Sequence, residues 1–184
     1  MMINDHEVIE NDFFKTDKKH GKFIKRISKY IRSLMERGRI SEASYYYDVL
    51  YEMKKDNKET VVLGYSLAIR KFDYRAMQKF DNYLVSTKCD PKIIFLLRLD
   101  YYYITSNLND FAGVACSLLK DYRLNVDELN SLVECTISLN AKKVIPSLYS
   151  YLKRMKLTPS EQLNLKCKSM MIESFVDTLR LVNK

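Results

Sequence analysis

The sequence predicts an all-α fold: a right-handed α-solenoid of about four antiparallel helical hairpins, closed by a C-terminal capping helix. Three observations predict it. Only four Gly and three Pro occur among 184 residues rich in Leu, Lys, Tyr, Ile and Ser, a composition of long helices and short turns. A spaced pattern recurs: Gly38 is followed at offsets of five, nine and twelve by Ala43, Tyr47 and Leu50, and Lys71 by Ala76, Phe80 and Tyr83. Asn107 is followed in the same way by Ala112, Cys116 and Leu119, and Asn140 by Ile145, Tyr149 and Leu152, so the anchors stand 33, 36 and 33 residues apart. Those offsets share one helical face, where a small residue lets two helices approach and the aromatic four residues later fills the space beside it. Finally, helix-start residues at Ser41, Asn57, Asp73, Asp90, Asn107, Asn125, Asn140 and Thr158 come about every 17 residues, which leaves room only for short antiparallel pairs.

Taken in order, residues 1–21 lack sustained apolar periodicity and are expected to form a mobile arm, with docking through Phe13 and Phe14 as the less favoured alternative. Residues 22–157 carry the repeats. The first helix, from Lys22 to Gly38, sets Phe23, Ile27 and Leu34 on one stripe and basic residues on another. The second follows with Ser41 as its expected N-cap and runs to about Lys55. Further helices are expected over 59–70, 74–87, 91–105, 109–122, 126–139 and 141–155, with Asp90 capping and Pro91 at the first helical position of the fifth. Ile145 and Pro146 inside the 141–155 helix predict loose packing of the last pair. Thr158, Pro159, Ser160 and Glu161 make a capping box, and Leu163, Cys167, Met170, Met171, Phe175 and Leu179 then give 158–184 the apolar face of a capping helix.

The segments GRISEASYYYDVLY, KFDYRAMQKFDNYL and NLNDFAGVACSLL, with Leu63 and Gly64 in the preceding helix of the second, resemble tetratricopeptide repeats. The resemblance covers about 24–155, lacks the family's Trp and degenerates in the fourth repeat. It implies a scaffold, an adaptor or a chaperone, that takes a peptide or helix of another protein in a concave groove. Carried over by position, the groove residues are Lys25, Ser28, Arg32 and Met35; Lys58, Val61, Tyr65 and Ala68; Ile94, Leu97, Tyr101 and Ile104; and Asp127, Asn130, Glu134 and Ile137. Lys25, Arg32, Val61, Tyr65, Leu97, Tyr101 and Glu134 stand for the set, basic at one end, apolar and aromatic in the middle and acidic at the other. GRISEA and MKLTPS resemble pentatricopeptide repeats more weakly. That resemblance implies RNA binding, although apolar Leu97 and Leu165 stand where base-reading polar residues belong.

The net charge of +8 is local, because residues 15–39 carry ten basic and two acidic residues and the remainder is balanced. Lys22, Lys25, Lys29 and Arg32 recur at spacings of 3, 4 and 3 along one helical stripe, and Lys18 and Lys19 extend the patch into the arm. An acidic protein segment is the first choice of partner, nucleic acid the second and a membrane surface the third. No run of about 20 apolar residues offers a membrane span, and no leader-like pattern opens the chain, so a cytoplasmic protein is expected. Cys89, Cys116, Cys135 and Cys167 form no CxxC pair, and His6 and His20 are the only histidines. No phosphate loop, metal-ligand spacing or nucleophile motif is readable. The expectation is therefore a non-enzymatic protein without cofactor or metal, its oligomeric state open.

Overall fold

A computed structural model describes residues 5–16, 22–55 and 57–155, and these are all-α with no strand among them. The helices are α1 (Asp5–Phe14), α2 (Phe23–Glu36), α3 (Ile40–Lys54), α4 (Lys58–Arg70), α5 (Tyr74–Ser86), α6 (Pro91–Ile104), α7 (Leu108–Asp121), α8 (Val126–Ser138) and α9 (Ile145–Arg154). Lys18, Lys19, His20, Cys167 and the expected capping helix 158–184 lie outside the described residues. The chain divides into two compact units, one up to Ile94 and one from Phe95 onward, where length alone suggested one domain. In the first unit α1 to α5 pack each on its sequence neighbour and in the second α7 packs on α9, an arrangement compatible with a helical-repeat fold.

The repeat is sharpest in the backbone. Gly38 (φ 72°), Phe72 (φ 54°), Ser106 (φ 53°) and Asn140 (φ 51°) all occupy the left-handed region, 34 residues apart each time. Just beyond each, the N–H groups of Arg39, Asp73, Asn107 and Ala141 donate to the carbonyls of Leu34, Ala68, Tyr102 and Thr136 at 2.9, 3.0, 2.9 and 2.9 Å. This is the Schellman closure of a helix C-terminus, which satisfies carbonyls the helix leaves orphaned. The same closure ends α5, with Lys88 at φ 52° and Cys89 donating to Leu84. Only Gly38 is free of the Cβ penalty of about 1 kcal/mol or more that the left-handed region imposes on other residues. The sequence anchors Lys71 and Asn107 therefore miss the turn residues Phe72 and Ser106 by one position each. In the corrected register Ala43, Met77, Phe111 and Ile145 stand 34 apart, and all four are buried.

Helix starts follow the side chains. Asn57, Asp73 and Asn107 accept the N–H groups of Glu59, Ala76 and Asp110, and Asp90 accepts that of Lys92 at 3.0 Å. Asn125 and Glu128 form a reciprocal capping box. Ser41 is not a cap: α3 begins after Arg39, which offers no side-chain bond to the helix start. Nor does Pro146 break a helix, because α9 starts at Ile145 and holds the proline in its first turn, where a missing N–H costs nothing.

In the first unit α4 is the central helix, packed on α2, α3 and α5. It is buried at Thr60, Val61, Leu63, Gly64, Tyr65, Leu67, Ala68 and Ile69, about two thirds of its circumference at 3.6 residues per turn, with Glu59, Val62, Ser66 and Arg70 on the remaining arc. Gly64 is required there. A Cβ at that position would stand 2.7 Å from the ring of Phe80 and drive into the ring of Tyr47. Tyr47 belongs to α3 and Phe80 to α5, so one missing side chain lets both neighbouring helices bring a ring against α4. In the second unit Leu99, Phe111, Ala115, Leu118, Leu129, Leu132, Val133, Val144 and Leu148 build a mostly aliphatic core from α6 to α9. The hydroxyl of Tyr151 accepts the N–H of Leu124 at 2.7 Å, which ties α9 to the buried connection before α8.

The expected arm gives way over residues 5–16 to a docked helix. Phe13 is only 7% exposed, inside the core that α2 and α3 share. One aromatic suffices where apolar periodicity is absent, since burying a phenylalanine is worth about 2 to 3 kcal/mol.

Candidate functional site

Helix α2 sorts its residues into arcs. Ile27, Ile31 and Leu34 face the core, Phe23, Tyr30 and Ser33 are buried toward α1, and Lys22, Lys25, Lys29 and Arg32 are exposed on the remaining side. Among the described residues Lys25, Lys29 and Arg32 make no hydrogen bond or ion pair, and they repeat at i, i+4 and i+7. Such a row of like charges on one face is an electrostatic liability that a passing anion relieves.

The other basic residues of α2 and its C-terminal turn are occupied. Arg26 pairs with Asp12 of α1 at 2.9 Å and donates a short hydrogen bond to Thr16. Arg37 pairs with Glu10 at 3.3 Å, and His6 Nδ1 lies 2.7 Å from the hydroxyl of Ser33. Between these polar contacts the ring of Phe13 stacks on Tyr30 with centroids 4.7 Å apart, meets Tyr46 edge-on at 5.3 Å and lies 5.8 Å from Phe23. Burial, helped by the nearby Glu10 carboxylate, pushes the Tyr30 phenol up to about 12. The ion pairs remain a third to a half exposed, and such pairs contribute under about 1 kcal/mol each. Around this seat Phe14 and Tyr45 stay open, 60% and 65% exposed.

The groove residues divide differently from expectation. Lys25 and Arg32 are exposed on α2 and Glu134 is exposed on α8, while Tyr101 is half-buried on α6. Val61, Tyr65 and Leu97 are interior, and Tyr65, 4% exposed, donates from its hydroxyl to Asp81 at 2.9 Å. These three present no surface, so the expected groove loses its apolar middle. For Val61 and Tyr65 the reason lies in α4, whose run VVLGYSLAI is apolar over most of its circumference and is packed by α2, α3 and α5. Lys18 and Lys19, the arm end of the basic patch, lie outside the described residues. What the sequence reading left out is the seat made by Arg26, Arg37, Tyr30 and Tyr46, signalled only by four carboxylates and two phenylalanines in residues 5–14.

Elsewhere a cleft of about 430 Å³ runs along Leu119, Lys120, Tyr122, Tyr151 and Met155 in the second unit. Burial, with Asp100 nearby, raises the Cys135 thiol to about 11, which makes it a poor nucleophile at neutral pH. No helix among the described residues is long and apolar enough to cross a membrane. The chain matches no family model, no curated protein and no solved structure.

Proposed function

We propose that this chain is a non-enzymatic scaffold of the tetratricopeptide-like kind, a right-handed stack of helical hairpins that binds an acidic segment of a partner protein as an adaptor or chaperone. The observation that carries it is the exposed row Lys25, Lys29 and Arg32, aligned on α2 and without a partner among the described residues. The four turns at a 34-residue period support the scaffold part. With Val61, Tyr65 and Leu97 buried, the contact face moves from the apolar middle of the expected groove to its basic end.

The test is a titration of the full chain with a fluorescent deca-glutamate, single-stranded RNA, duplex DNA and anionic vesicles, at about 50 mM and 200 mM salt. The variant Lys25→Gln/Lys29→Gln/Arg32→Gln is titrated beside it. The acidic peptide is expected to bind best and to lose about tenfold in the triple variant, as truncation of a contact row does. Tighter binding to RNA, steep in salt and abolished by the same three changes, would replace this reading with an RNA-binding helical-repeat protein. Binding that ignores the three changes sinks both.

A further inference from the structure

We infer that α1 occupies a receptor site for acidic helices bearing an aromatic residue, and that a partner helix of this chemistry takes the same seat by displacing it. The inference goes beyond the contact row proposed above, because the seat lies on a different arc of α2 and none of Lys25, Lys29 or Arg32 belongs to it.

The seat is built for its occupant. Arg26 and Arg37 stand eleven residues apart on and just beyond α2, about 16 Å along the axis at the helical rise, and an aromatic pocket of Phe23, Tyr30 and Tyr46 opens between them. The occupant answers feature by feature: Asp12 to Arg26, Glu10 to Arg37 and the Phe13 ring to the pocket. Helix α1 carries Asp5, Glu7, Glu10 and Asp12 and no lysine or arginine, so its charge is matched to the basic helix beneath it.

Its hold is nonetheless slight. Phe13 is its one fully buried residue among the described residues, Ile9 is half-buried against the same core, Val8 and Phe14 are half or more exposed, and the two ion pairs stay open to solvent. What favours α1 is its covalent attachment, which gives it a local concentration in the millimolar range. A partner helix that adds apolar contacts over Tyr45, which lies 65% exposed beside Tyr46, gains affinity that α1 leaves unused.

The probe is a fluorescent peptide of residues 5–16, titrated against the full chain and against the full chain with Phe13→Ala, which empties the pocket from within. The Phe13→Ala chain should bind the peptide about tenfold tighter than the unchanged chain, since the tethered competitor has lost its anchor. Adding Arg26→Gln and Arg37→Gln to that chain should cost about tenfold again, and a peptide lacking its own phenylalanine should not compete. Because the alanine could unfold the chain, Glu10→Gln with Asp12→Asn provides a second release that opens no cavity, and far-UV circular dichroism checks both. Equal binding to released and unreleased chains, or binding indifferent to Arg26 and Arg37, overturns the proposal.

Discussion

The two units solve the same packing problem with different materials. Up to Ile94 the core mixes rings with Ile and Leu, with Phe13, Phe23, Tyr30 and Tyr47 buried and Tyr46 and Phe80 against them. From Phe95 onward the buried positions are mostly Leu, Ala and Val with one Ile, and Phe111 and Tyr151 are the buried rings of that cluster. Bulky rings need room made for them, and the first unit makes it with Gly64; small aliphatics need none, and Gly113 of α7 has nothing within 4 Å of the place a Cβ would take. The same residue type thus has opposite meanings. In a helix interior glycine costs about 1 kcal/mol relative to alanine, a cost the first unit recovers by close packing and the second does not. Gly64→Ala should therefore destabilise by about 2 to 3 kcal/mol through overpacking. Gly113→Ala should stabilise by about 0.5 to 1 kcal/mol. Chemical denaturation of both variants decides it, and a shift of the same sign in both would break the comparison.

Buried hydroxyls separate the units next. Tyr151 is satisfied by the Leu124 N–H, whereas the Tyr47 hydroxyl, buried beside Gly64, has no hydrogen-bond partner among the described residues. Removing the first oxygen strands a buried backbone donor, so Tyr151→Phe should cost about 1 to 3 kcal/mol. Removing the second relieves an uncompensated desolvation, so Tyr47→Phe should be neutral or gain up to about 1 kcal/mol. Thermal unfolding of the pair reads both signs, and a clear loss on Tyr47→Phe would mean that the hydroxyl has a partner in solution.

Local chemistry made some of this legible in the sequence and long-range packing hid the rest. Helix ends were readable where a side chain does the work, as at Asn57, Asp73, Asp90, Asn107 and Asn125. The turn register was not, because Phe72 and Ser106 are held at positive φ by the helices they join and carry no glycine to announce it. An alanine–aromatic pattern read from Lys71 and Asn107 was one residue out in each middle repeat, and only the burial of Met77 and Phe111 gives the frame. In the candidate site the exposed row on α2 followed directly from spacing. Burial of Val61, Tyr65 and Leu97 did not, since an apolar residue on a helix face looks the same whether that face lines a groove or a core. The docking of α1 was hidden for a third reason: Ile9 and Phe13, a single apolar pair, with two ion pairs leave too short a periodic trace to read.

The smallest expected effect concerns the exterior of the first unit. Lys25 and Lys29 are four residues apart and Lys29 and Arg32 three, and each such like-charge pair on a helix costs about 0.2 to 0.5 kcal/mol at low salt. Glutamine matches lysine and arginine closely in helix propensity, so replacing the three changes little except the charge. The triple variant should then be more stable than the unchanged chain by about 0.5 kcal/mol at low ionic strength. The gain should vanish near 1 M salt, where the screening length falls to about 3 Å. Hydrogen exchange localises it: α2 and α3 amides should gain protection in the variant while those of α7 and α8 do not. Loss of stability instead would show that Lys25, Lys29 and Arg32 hold the fold together, and a row kept for packing would need no partner at all.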